Sequence, residues 1–471
     1  MAHVHNHSEN RGAIYLEVVL ARSPSSMRTA LYKWYLLLVL LTVLTFSNMD
    51  GLVLGLLSQS IKLDFGLTDT QVGLLSGMAF ALFYSVMGIP IARWADRGDR
   101  VVVMSVSTAV WCVLVAACGW ATNFAQLLVI RVGVAVGEAG CVPPAHSLIA
   151  QYFERVDRAR AVGIYMLGGS LSMLIGYFAA GWLNELYGWR ATFEILGASA
   201  LLPTVLVWLT LEEPRRAKWK SSEVSRSQTW QPEHTSRDSI WRVCLALWRI
   251  RTFRHLVVCY SVVYFFGYGM QQWQPAFFIR SFGLTTGALG TWFAAIFGTA
   301  SFVGTYLGGD LASRFTKNDE ATQLKATSFG YVAFGVISAL AYLSHDVYWA
   351  FGLIGLAGIG AAATTGPMLA VLQTLVPERM RATSIALIYL LANLIGMGLG
   401  PLAAGALSDE LSRFVGSESL RYAMVALCPG QLWAAWHCWQ ASKTVMLDVE
   451  LTETALCGRI VYSNSECASH S

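Results

Sequence analysis

The sequence predicts an all-α integral membrane protein with twelve transmembrane helices in two pseudo-symmetric six-helix bundles. Three observations predict this fold. Of the 471 residues 55% are hydrophobic and only 13% are charged, whereas a soluble globular chain carries about 25% charged residues. Apolar windows long enough to cross a bilayer recur twelve times. One long polar segment, residues 212–239, divides them into six and six.

The predicted spans are runs of about twenty or more residues, too long for the strands of a membrane β-barrel. In the first half they cover residues 34–60, 71–92, 101–121, 124–151, 160–184 and 191–211. In the second half they cover residues 254–280, 285–309, 325–344, 347–376, 382–408 and 421–442. The expected domains are a tail (1–33), a first bundle (34–211), a linker (212–253), a second bundle (254–442) and a tail (443–471).

The distribution of lysine and arginine predicts how the chain is oriented. If both tails are cytoplasmic, that side holds 27 of the 33 basic residues, ten of them in residues 215–254, and the opposite side holds five. The remaining one, Arg131, lies inside the fourth span. Because cytoplasmic loops are rich in lysine and arginine, we expect a multi-pass protein of the plasma membrane, the inner membrane in a bacterium, with both termini cytoplasmic.

The two halves resemble each other in sequence. DRARAVGI (157–164) leads to GYFAAGWLNE (176–185), and ERMRATSI (378–385) leads to GPLAAGALSDE (400–410). The spacing of these landmarks differs by three residues, which indicates an imperfect duplication. Six spans plus six with an internal repeat is typical of a transporter whose halves rock about a central site.

The loop after the second span reads GIPIARWADRGDR, residues 88–100. Asp96, Arg97 and Arg100 cluster where a helix ends, and we expect them to pair with neighbouring helix ends and hold one side closed in one of two arrangements. A plain cytoplasmic charge signal is the alternative, which explains the arginines but not Asp96 and Asp99.

This loop resembles the signature between the second and third spans of the major facilitator superfamily, G-x-x-x-D-[RK]-x-G-[RK]-[RK]. Asp96 and Arg97 match it, Ala92 stands at the first glycine, and Gly98 with Asp99 interrupts the usual order. The counterpart in the second half, GGDLASR, is weaker. The resemblance covers all twelve spans.

A closer resemblance is to the bacterial Spinster-like branch of that superfamily. Residues 73–97, 131–153 and 267–284 are similar to that branch almost continuously. The resemblance implies secondary active transport, often proton-linked, with lysolipids or sphingolipids carried by characterised members. One departure is in the first span, which usually reads Asp-Arg where this chain has Asp50-Gly51.

Arg131 and Glu138 lie inside the apolar fourth span. Seven residues turn an α-helix by about 700°, so the two side chains share a face roughly 10 Å apart. Asp50 in the first span lies roughly level with Arg131 when a rise of about 1.5 Å per residue is counted from each side of the membrane. We therefore expect the fourth span to contact the first, with close approach allowed by Gly133, Gly137 and Gly140.

Each of these charges costs roughly 2.5–3.5 kcal/mol or more at mid-span. A permanent buried ion pair that fixes helix register is one interpretation, but it leaves the second acid unexplained. Our hypothesis is that Asp50 and Glu138 compete for Arg131, so that protonating one acid frees or engages the arginine. These three residues are the predicted proton-coupling site.

The span interiors of the second half contain no charge, and their polar content is aromatic and amide. The predicted substrate-binding residues are Tyr264, Tyr268, Gln271, Gln272, Trp273 and Asn393. Gly267, Gly269 and Pro275 are expected to weaken the seventh helix, as binding sites in transporters often require. A helix that merely packs through its aromatic residues is the alternative interpretation.

The favoured function is proton-coupled transport of an amphipathic organic solute by a protein that acts as a monomer among membrane lipids. A carrier of small organic anions, with Arg131 binding the carboxylate, is the second interpretation. A non-transporting receptor or scaffold is the alternative from another class. We expect no enzyme activity, because His146 near Cys141 is the only candidate pair of nucleophile and base and Cys141 lacks a third partner. No cofactor, metal site or nucleic-acid partner is expected.

Overall fold

The computed structural model describes residues 24–154, 156–215, 240–315 and 319–468. Within these ranges the chain forms helices and turns and no β-strand, which confirms the all-α prediction. The predicted N-terminal tail up to residue 23, most of the linker and the last three residues lie outside the described ranges.

Six long helices form the first half. They are α1 (Pro24–Phe65), α2 (Asp69–Arg97), α3 (Arg100–Cys118), α4 (Phe124–Tyr152), α5 (158–187) and α6 (189–210). α5 and α6 run on as one stretch except at Gly188, whose φ of 81° breaks the helix. A positive φ is accessible to glycine without a steric penalty.

The fourth helix is divided into two pieces. Its two pieces are Phe124–Glu138 and Val142–Tyr152. Pro143 and Pro144 stand at the start of the second piece, where a missing N–H donor leaves no hydrogen bond unmade.

A short linker helix, Ile240–Arg249, precedes six further long helices. These are α7 (Arg251–Phe282), α8 (Thr286–Phe315), α9 (Glu320–Leu343), α10 (Val347–Leu375), α11 (378–415) and α12 (419–468). Two of the long helices contain a π-helical turn, α2 at Leu74–Met78 and α11 at Ala392–Met397. Such turns are often found at functional sites.

The twelve predicted spans correspond to these twelve helices. Among the described residues, nine segments are long and apolar enough to cross a membrane. Two of these segments each contain two helices, separated at Gly188 in one and at the turn at Gly416 in the other. With the 32-residue helix Arg251–Phe282 added, the total is twelve. Most bounds agree within about five residues.

Four helices extend further than predicted. α1 begins at residue 24 rather than 34, and α8, α11 and α12 continue to residues 315, 415 and 468 rather than 309, 408 and 442. Hydropathy marks only the apolar part of a helix, whereas the backbone hydrogen bonding continues into polar sequence.

The two ends of the bundle are named here by the loops that they carry. The linker side holds residues 97–100 and 211–215, next to the segment that joins the halves. The opposite side holds residues 65–69, 119–123 and 282–286, the turns at the far ends of the same helices.

The halves contact each other closely through α2 with α11 and α5 with α8. A Cβ atom on Gly77 of α2 would lie 2.6 Å from the carbonyl oxygen of Gly398, and one on Gly181 of α5 would lie 2.4 Å from that of Thr286. Only glycine permits backbones to approach this closely.

The glycines of α4 have a different neighbour from the one predicted. A Cβ on Gly133, Gly137 or Gly140 would meet Leu114, Trp111 or Ser107, all in α3. The expectation that these glycines admit α1 is therefore wrong. α1 and α4 contact each other instead through polar side chains. Contacts of this kind allow a larger distance between the two backbones than glycine contacts do.

Candidate functional site

A cavity of about 760 Å³ lies between the two halves. Helices α1, α2, α4 and α5 contribute one wall, and α7, α8 and α11 contribute the other. Its lining continues toward the linker side along α5 and α8, where Gly163 and Tyr306 belong to it. The remaining polar lining includes Ser47, Asn48, Ser76, Ser170 and Thr305, and the apolar lining includes Leu52, Phe80, Met166, Met173, Phe302 and Met397.

Asp50 and Arg131 form a buried ion pair beside this cavity. Nη1 of Arg131 donates to both carboxylate oxygens of Asp50, at 2.8 and 2.7 Å. Asp50 is 4% exposed and Arg131 is 1% exposed. The guanidinium carbon also lies 5.7 Å from the centre of the Phe80 ring, which favours a cation through the ring quadrupole. The sequence-based expectation that these two residues lie level in the membrane agrees with this contact.

Glu138 lines the cavity but has a different partner. Its Oε1 accepts a hydrogen bond from the Ser47 hydroxyl at 3.1 Å. The ion pair of Arg131 is with Asp50, and neither carboxylate oxygen of Glu138 lies within 4.0 Å of a guanidinium nitrogen. Both acids thus surround one cation, and in this arrangement Asp50 holds it. The exchange of partners stays a prediction.

The predicted substrate-binding residues are divided by the structure into two groups. Tyr268, Gln271 and Gln272 line the central cavity. Tyr264 lines a separate, smaller cavity within the second half. Trp273 is 1% exposed and donates its indole N–H to the carbonyl oxygen of Pro401, so it joins α7 to α11.

Two details of α7 and α11 differ from the expectations. Asn393 lies in the π-helical turn of α11 and is not part of the central cavity lining. Gly267, Gly269 and Pro275 do not interrupt α7, which is one helix from Arg251 to Phe282. α7 is thus continuous where a weakened helix was expected, and its backbone at Phe265 and Gly269 packs closely against Gly400 of α11.

Arg100 is fully buried at the linker side, where it pairs with Glu213 just after α6. Its Nε and Nη2 donate to the two carboxylate oxygens of Glu213 at 3.0 and 2.7 Å. Its guanidinium also donates to the carbonyl oxygen and the hydroxyl of Ser147 and to the amide oxygen of Gln151, both residues on α4. Arg100 therefore fastens the second–third helix loop to α4 and to the end of α6.

The pKa of Glu213 reflects this environment. Burial raises the pKa of a carboxyl, but the hydrogen bonds from Arg100 and from the backbone N–H groups of Arg100 and Arg215 act against burial and bring the pKa of Glu213 below its ordinary value of 4.5. The carboxylate is thus the stable form here.

Asp96 and Arg97 are exposed, in contrast to Arg100. The backbone oxygen of Asp96 accepts a hydrogen bond from Arg215 at 2.8 Å. Of the three predicted gating residues, Arg100 alone lies within an ion pair in this arrangement, and the gating role of the set stays a prediction.

The opposite side is closed by a set of residues that we call the Asp69 cluster: Asp69, Lys62, Arg280, Ser408 and Asp409. Asp69 is 2% exposed. Its carboxylate accepts two hydrogen bonds from Arg280 of α7, at 2.8 and 2.7 Å, and one from Ser408 of α11 at 2.7 Å. Lys62 at the end of α1 pairs with it as well. One acid of the first half thus binds two groups of the second.

Asp409 completes this contact from the other half. Its carboxylate accepts from the backbone N–H groups of Asp69 and Thr70, at 2.9 and 2.8 Å, and from the Thr70 hydroxyl at 2.6 Å. An acid at a helix N-terminus satisfies free N–H groups and the helix dipole. A second link lies at the α5–α8 contact, where Glu185 accepts from the N–H of Gly287 at 2.7 Å.

Sequence reasoning missed Glu213 and the Asp69 cluster. The signals were present: Glu213 lies in LEEPRR directly after a span, and Asp69 begins a helix in the capping pattern TDTQ. These signals do not identify a partner, because single acids at membrane borders are common and the groups that bind them are distant in sequence.

His146 and Cys141 are the two residues considered for enzyme chemistry. The His146 ring packs edge-on against Tyr165, with centres 5.3 Å apart. Cys141 is buried and free. Among the described residues no group of three or more metal-binding side chains occurs.

Comparisons with known proteins agree with this architecture. A family model described as the Major Facilitator Superfamily matches residues 38–401. An "MFS-type efflux pump" of Mycolicibacterium smegmatis is 28% identical over 417 residues, which cover 88% of this chain and 94% of that protein. A 4-hydroxybenzoate transporter of Acinetobacter baylyi is 26% identical over 212 residues, 45% of either chain.

Among solved structures, this chain is similar to a bacterial homolog of the human lysosomal transporter Spinster. In its inward-facing, unoccupied conformation that structure aligns with a TM-score of 0.76 and 30% identity, over 88% of this chain and 98% of the other. The same homolog in an inward-facing, occupied conformation gives a TM-score of 0.73 and 29% identity over the same shares.

Proposed function

We propose that this chain, which belongs to the major facilitator superfamily of multi-pass membrane transporters of small molecules, moves an amphipathic organic solute by alternating access with proton coupling. As a transporter of this family it is not an enzyme. The observation that carries this proposal is the central cavity between the halves. Its first-half wall contains Arg131 and Glu138, and its second-half wall contains only neutral side chains.

The cavity lining suits a solute with a polar head and an apolar body. Hydroxyl and amide groups alternate with methionine, leucine and phenylalanine side chains along its length. A site with mostly apolar walls and a few placed polar groups orients a ligand through the polar groups and holds it through the apolar ones. A lysolipid-like molecule has this division, and the similarity to the Spinster homolog supports the same class.

Proton coupling is supported by the charges around Arg131. Two acids and one base near the middle of the membrane leave one acid without a cation. An unpaired carboxylate away from water is costly, and a proton on Glu138 would remove that cost. Transfer of Arg131 from Asp50 to a deprotonated Glu138 would shift α1 relative to α4, and so link the proton to the position of the helices.

Alternating access is supported by the unequal closure of the two sides. The Asp69 cluster joins the halves at the opposite side, while the cavity lining continues to the linker side. In the proposed cycle these cross-half bonds break when the opposite side opens. The gating residues Asp96, Arg97 and Arg100 then hold the linker side closed.

We further propose that the linker side is cytoplasmic and that the protein acts as a monomer in the plasma membrane. The count of 27 basic residues on the linker side against five on the other supports the orientation. The central cavity is formed within one chain, so a second copy is not needed to complete it.

Transport of small organic anions is the second candidate. Relatives named for 4-hydroxybenzoate and gallate transport, 26 and 29% identical to this chain over less than half of its length, favour it. In that case Arg131, which touches the cavity, would bind the solute carboxylate in competition with Asp50. The present ion pair, with Asp50 occupying the guanidinium, favours the first candidate.

The test is uptake into proteoliposomes of a lysophospholipid and of 4-hydroxybenzoate, each with and without a pH step across the membrane. We expect lysophospholipid flux that increases with the pH step, and a loss of that increase in Glu138→Gln. Glu194→Gln is the matched control, since Glu194 lies outside the cavity lining. Flux insensitive both to pH and to Glu138→Gln would refute proton coupling, and flux of 4-hydroxybenzoate alone would favour the second candidate.

A further inference from the structure

A second cavity lies inside the second half, apart from the central one. It has a volume of about 100 Å³ and is bounded by α7, α9, α10 and α12. It shares no lining residue with the central cavity. The lining residues that matter below are Tyr260, Tyr264, Gly267, Gly360, Thr365 and Gln431. We call it the side cavity.

Two polar side chains of the side cavity have no hydrogen-bond partner. Gln431 is 0% exposed, and neither its amide nitrogen nor its amide oxygen is bonded. The hydroxyl of Tyr260, a residue 6% exposed, is also unbonded. A buried polar group left without a hydrogen-bond partner is destabilising, and nearly all buried polar groups in native proteins have such a partner. A bound group that supplies these hydrogen bonds accounts for their placement.

The walls determine what that group can be. None of the lining residues is charged, and burial of an ion without a partner is far more costly than burial of a hydroxyl or amide. The volume corresponds to about three water molecules at roughly 30 Å³ each, or to one small organic group. Gln431 offers both a donor and an acceptor, which suits a hydroxyl or a carboxamide.

The side cavity is kept open by the absence of side chains and is reached from an exposed residue. A Cβ atom on Gly267 or Gly360 would meet nothing within 4 Å. The lining extends from Thr365, which is exposed, to Gln431, which is fully buried. At the wall shared with the centre, the rings of Tyr264 and Tyr268 lie 5.3 Å apart, and Tyr268 lines the central cavity.

We propose that the side cavity is a separate binding site for a small uncharged hydrogen-bonding group, a hydroxyl or carboxamide, with Gln431 and Tyr260 as its binding residues. This assignment does not depend on the proposed proton coupling or on the identity of the transported solute. A failure of either would leave it standing.

The experiment uses a cysteine in place of Gly360 and two thiol reagents that differ in their terminal group. Hydroxyethyl methanethiosulfonate is neutral, and its sulfonatoethyl counterpart is always charged. Labelling of Gly360→Cys is measured by intact-protein mass against the unsubstituted chain, which gives the background from native free cysteines such as Cys244. Gly169→Cys, in the central cavity and equally open, is the control and should react with both reagents.

We expect the neutral reagent to label Gly360→Cys at least about tenfold faster than the charged one, after division by the ratio of the same two rates at Gly169→Cys. The reason is that the sulfonate must give up its hydration water in a cavity that offers no opposite charge. Equal rates, or no labelling by either reagent, would overturn the proposal.

A second measurement separates a binding role for Gln431 from a structural one. Gln431→Leu keeps the volume and removes the amide, so the melting temperature in detergent should stay unchanged or increase, and hydroxyethyl labelling of Gly360→Cys should slow in the double variant. A lowered melting temperature, or an unchanged labelling rate in a folded double variant, would contradict the assignment of Gln431.

Discussion

Replacement of Asp69 by asparagine should shift the protein away from the arrangement in which the opposite side is closed. The carboxylate is the acid in the first half that binds both Arg280 and Ser408 of the second. Asparagine is nearly isosteric but neutral, and its nitrogen cannot accept a bond. Arg280 and Lys62 would then lose their counter-charge without any change in side-chain volume.

The magnitude follows from the lost bonds. A hydrogen bond to a charged group contributes roughly 1.5–3 kcal/mol, and the asparagine oxygen can retain part of the Arg280 contact. The Arg280 side chain is 15% exposed and that of Lys62 is 24% exposed, so water replaces some of the loss. A net change of about 2–3 kcal/mol corresponds to roughly a 30- to 160-fold shift in the equilibrium between the two arrangements.

The assay is a distance measurement between spin labels on cysteines introduced at Trp120 and His345, exposed residues at the opposite side of the two halves. Asp69→Asn should increase the population with the longer distance. Asp64→Asn is the matched control, because Asp64 pairs with Arg190 within the first half and is 40% exposed. Surface pairs of this kind contribute little.

Identical distance distributions for Asp69→Asn and the unsubstituted protein would refute the reasoning, provided that both remain folded. The bonds that the Asp69 cluster makes between the halves would then contribute little to the equilibrium, and the side on which the cavity is closed would have to be set by the glycine contacts between α2 and α11.

Three further outcomes are expected. Arg131→Lys should leave lysophospholipid uptake within a few-fold but reduce any 4-hydroxybenzoate uptake by tenfold or more, because lysine lacks the two-pronged geometry that binds a carboxylate; equal losses in flux assays would contradict this. Glu213→Gln should lower the melting temperature at pH 7. Since the pKa of Glu213 is lowered in the folded protein, the stabilisation by its carboxylate is complete above pH about 4.5 and is lost as the pH falls through the folded-state pKa. The melting temperatures of the Glu213→Gln variant and the unsubstituted protein should therefore converge in acid. A difference in melting temperature that persists in acid would show that the charge of Glu213 is not the cause. Gly137→Ala should reduce the free energy of unfolding by about 1–3 kcal/mol in denaturant titrations, because its Cβ would lie 2.8 Å from the backbone nitrogen of Trp111. An unchanged denaturation midpoint would mean that α3 and α4 can separate freely.

Much of the membrane architecture could be predicted because lipid imposes simple rules. A helix needs about twenty apolar residues to cross, so the spans are visible in hydropathy, and the positions of lysine and arginine give an orientation. The Asp50–Arg131 pair was also predictable, since a buried charge requires a partner and the depth of each residue along its helix follows from the rise per residue.

The errors arose where the neighbour of a residue decides its role. The aromatic and amide run of α7 suggested a single binding surface, but a helix distributes consecutive residues around its axis, and so Gln272 faces the central cavity while Trp273 packs against α11. The glycines of α4 indicated a close helix contact correctly, but sequence spacing cannot tell which helix makes it.

The sequence by itself determined the number of helices, the duplication and the presence of charges that lipid would not tolerate without a partner. Only the tertiary structure decided that Asp50 rather than Glu138 holds Arg131, that Asp69 binds the other half, and that Gln431 faces an open space. The physical reason is that hydropathy and helix period act within one helix, whereas an ion pair or a cavity depends on how helices distant in sequence approach one another.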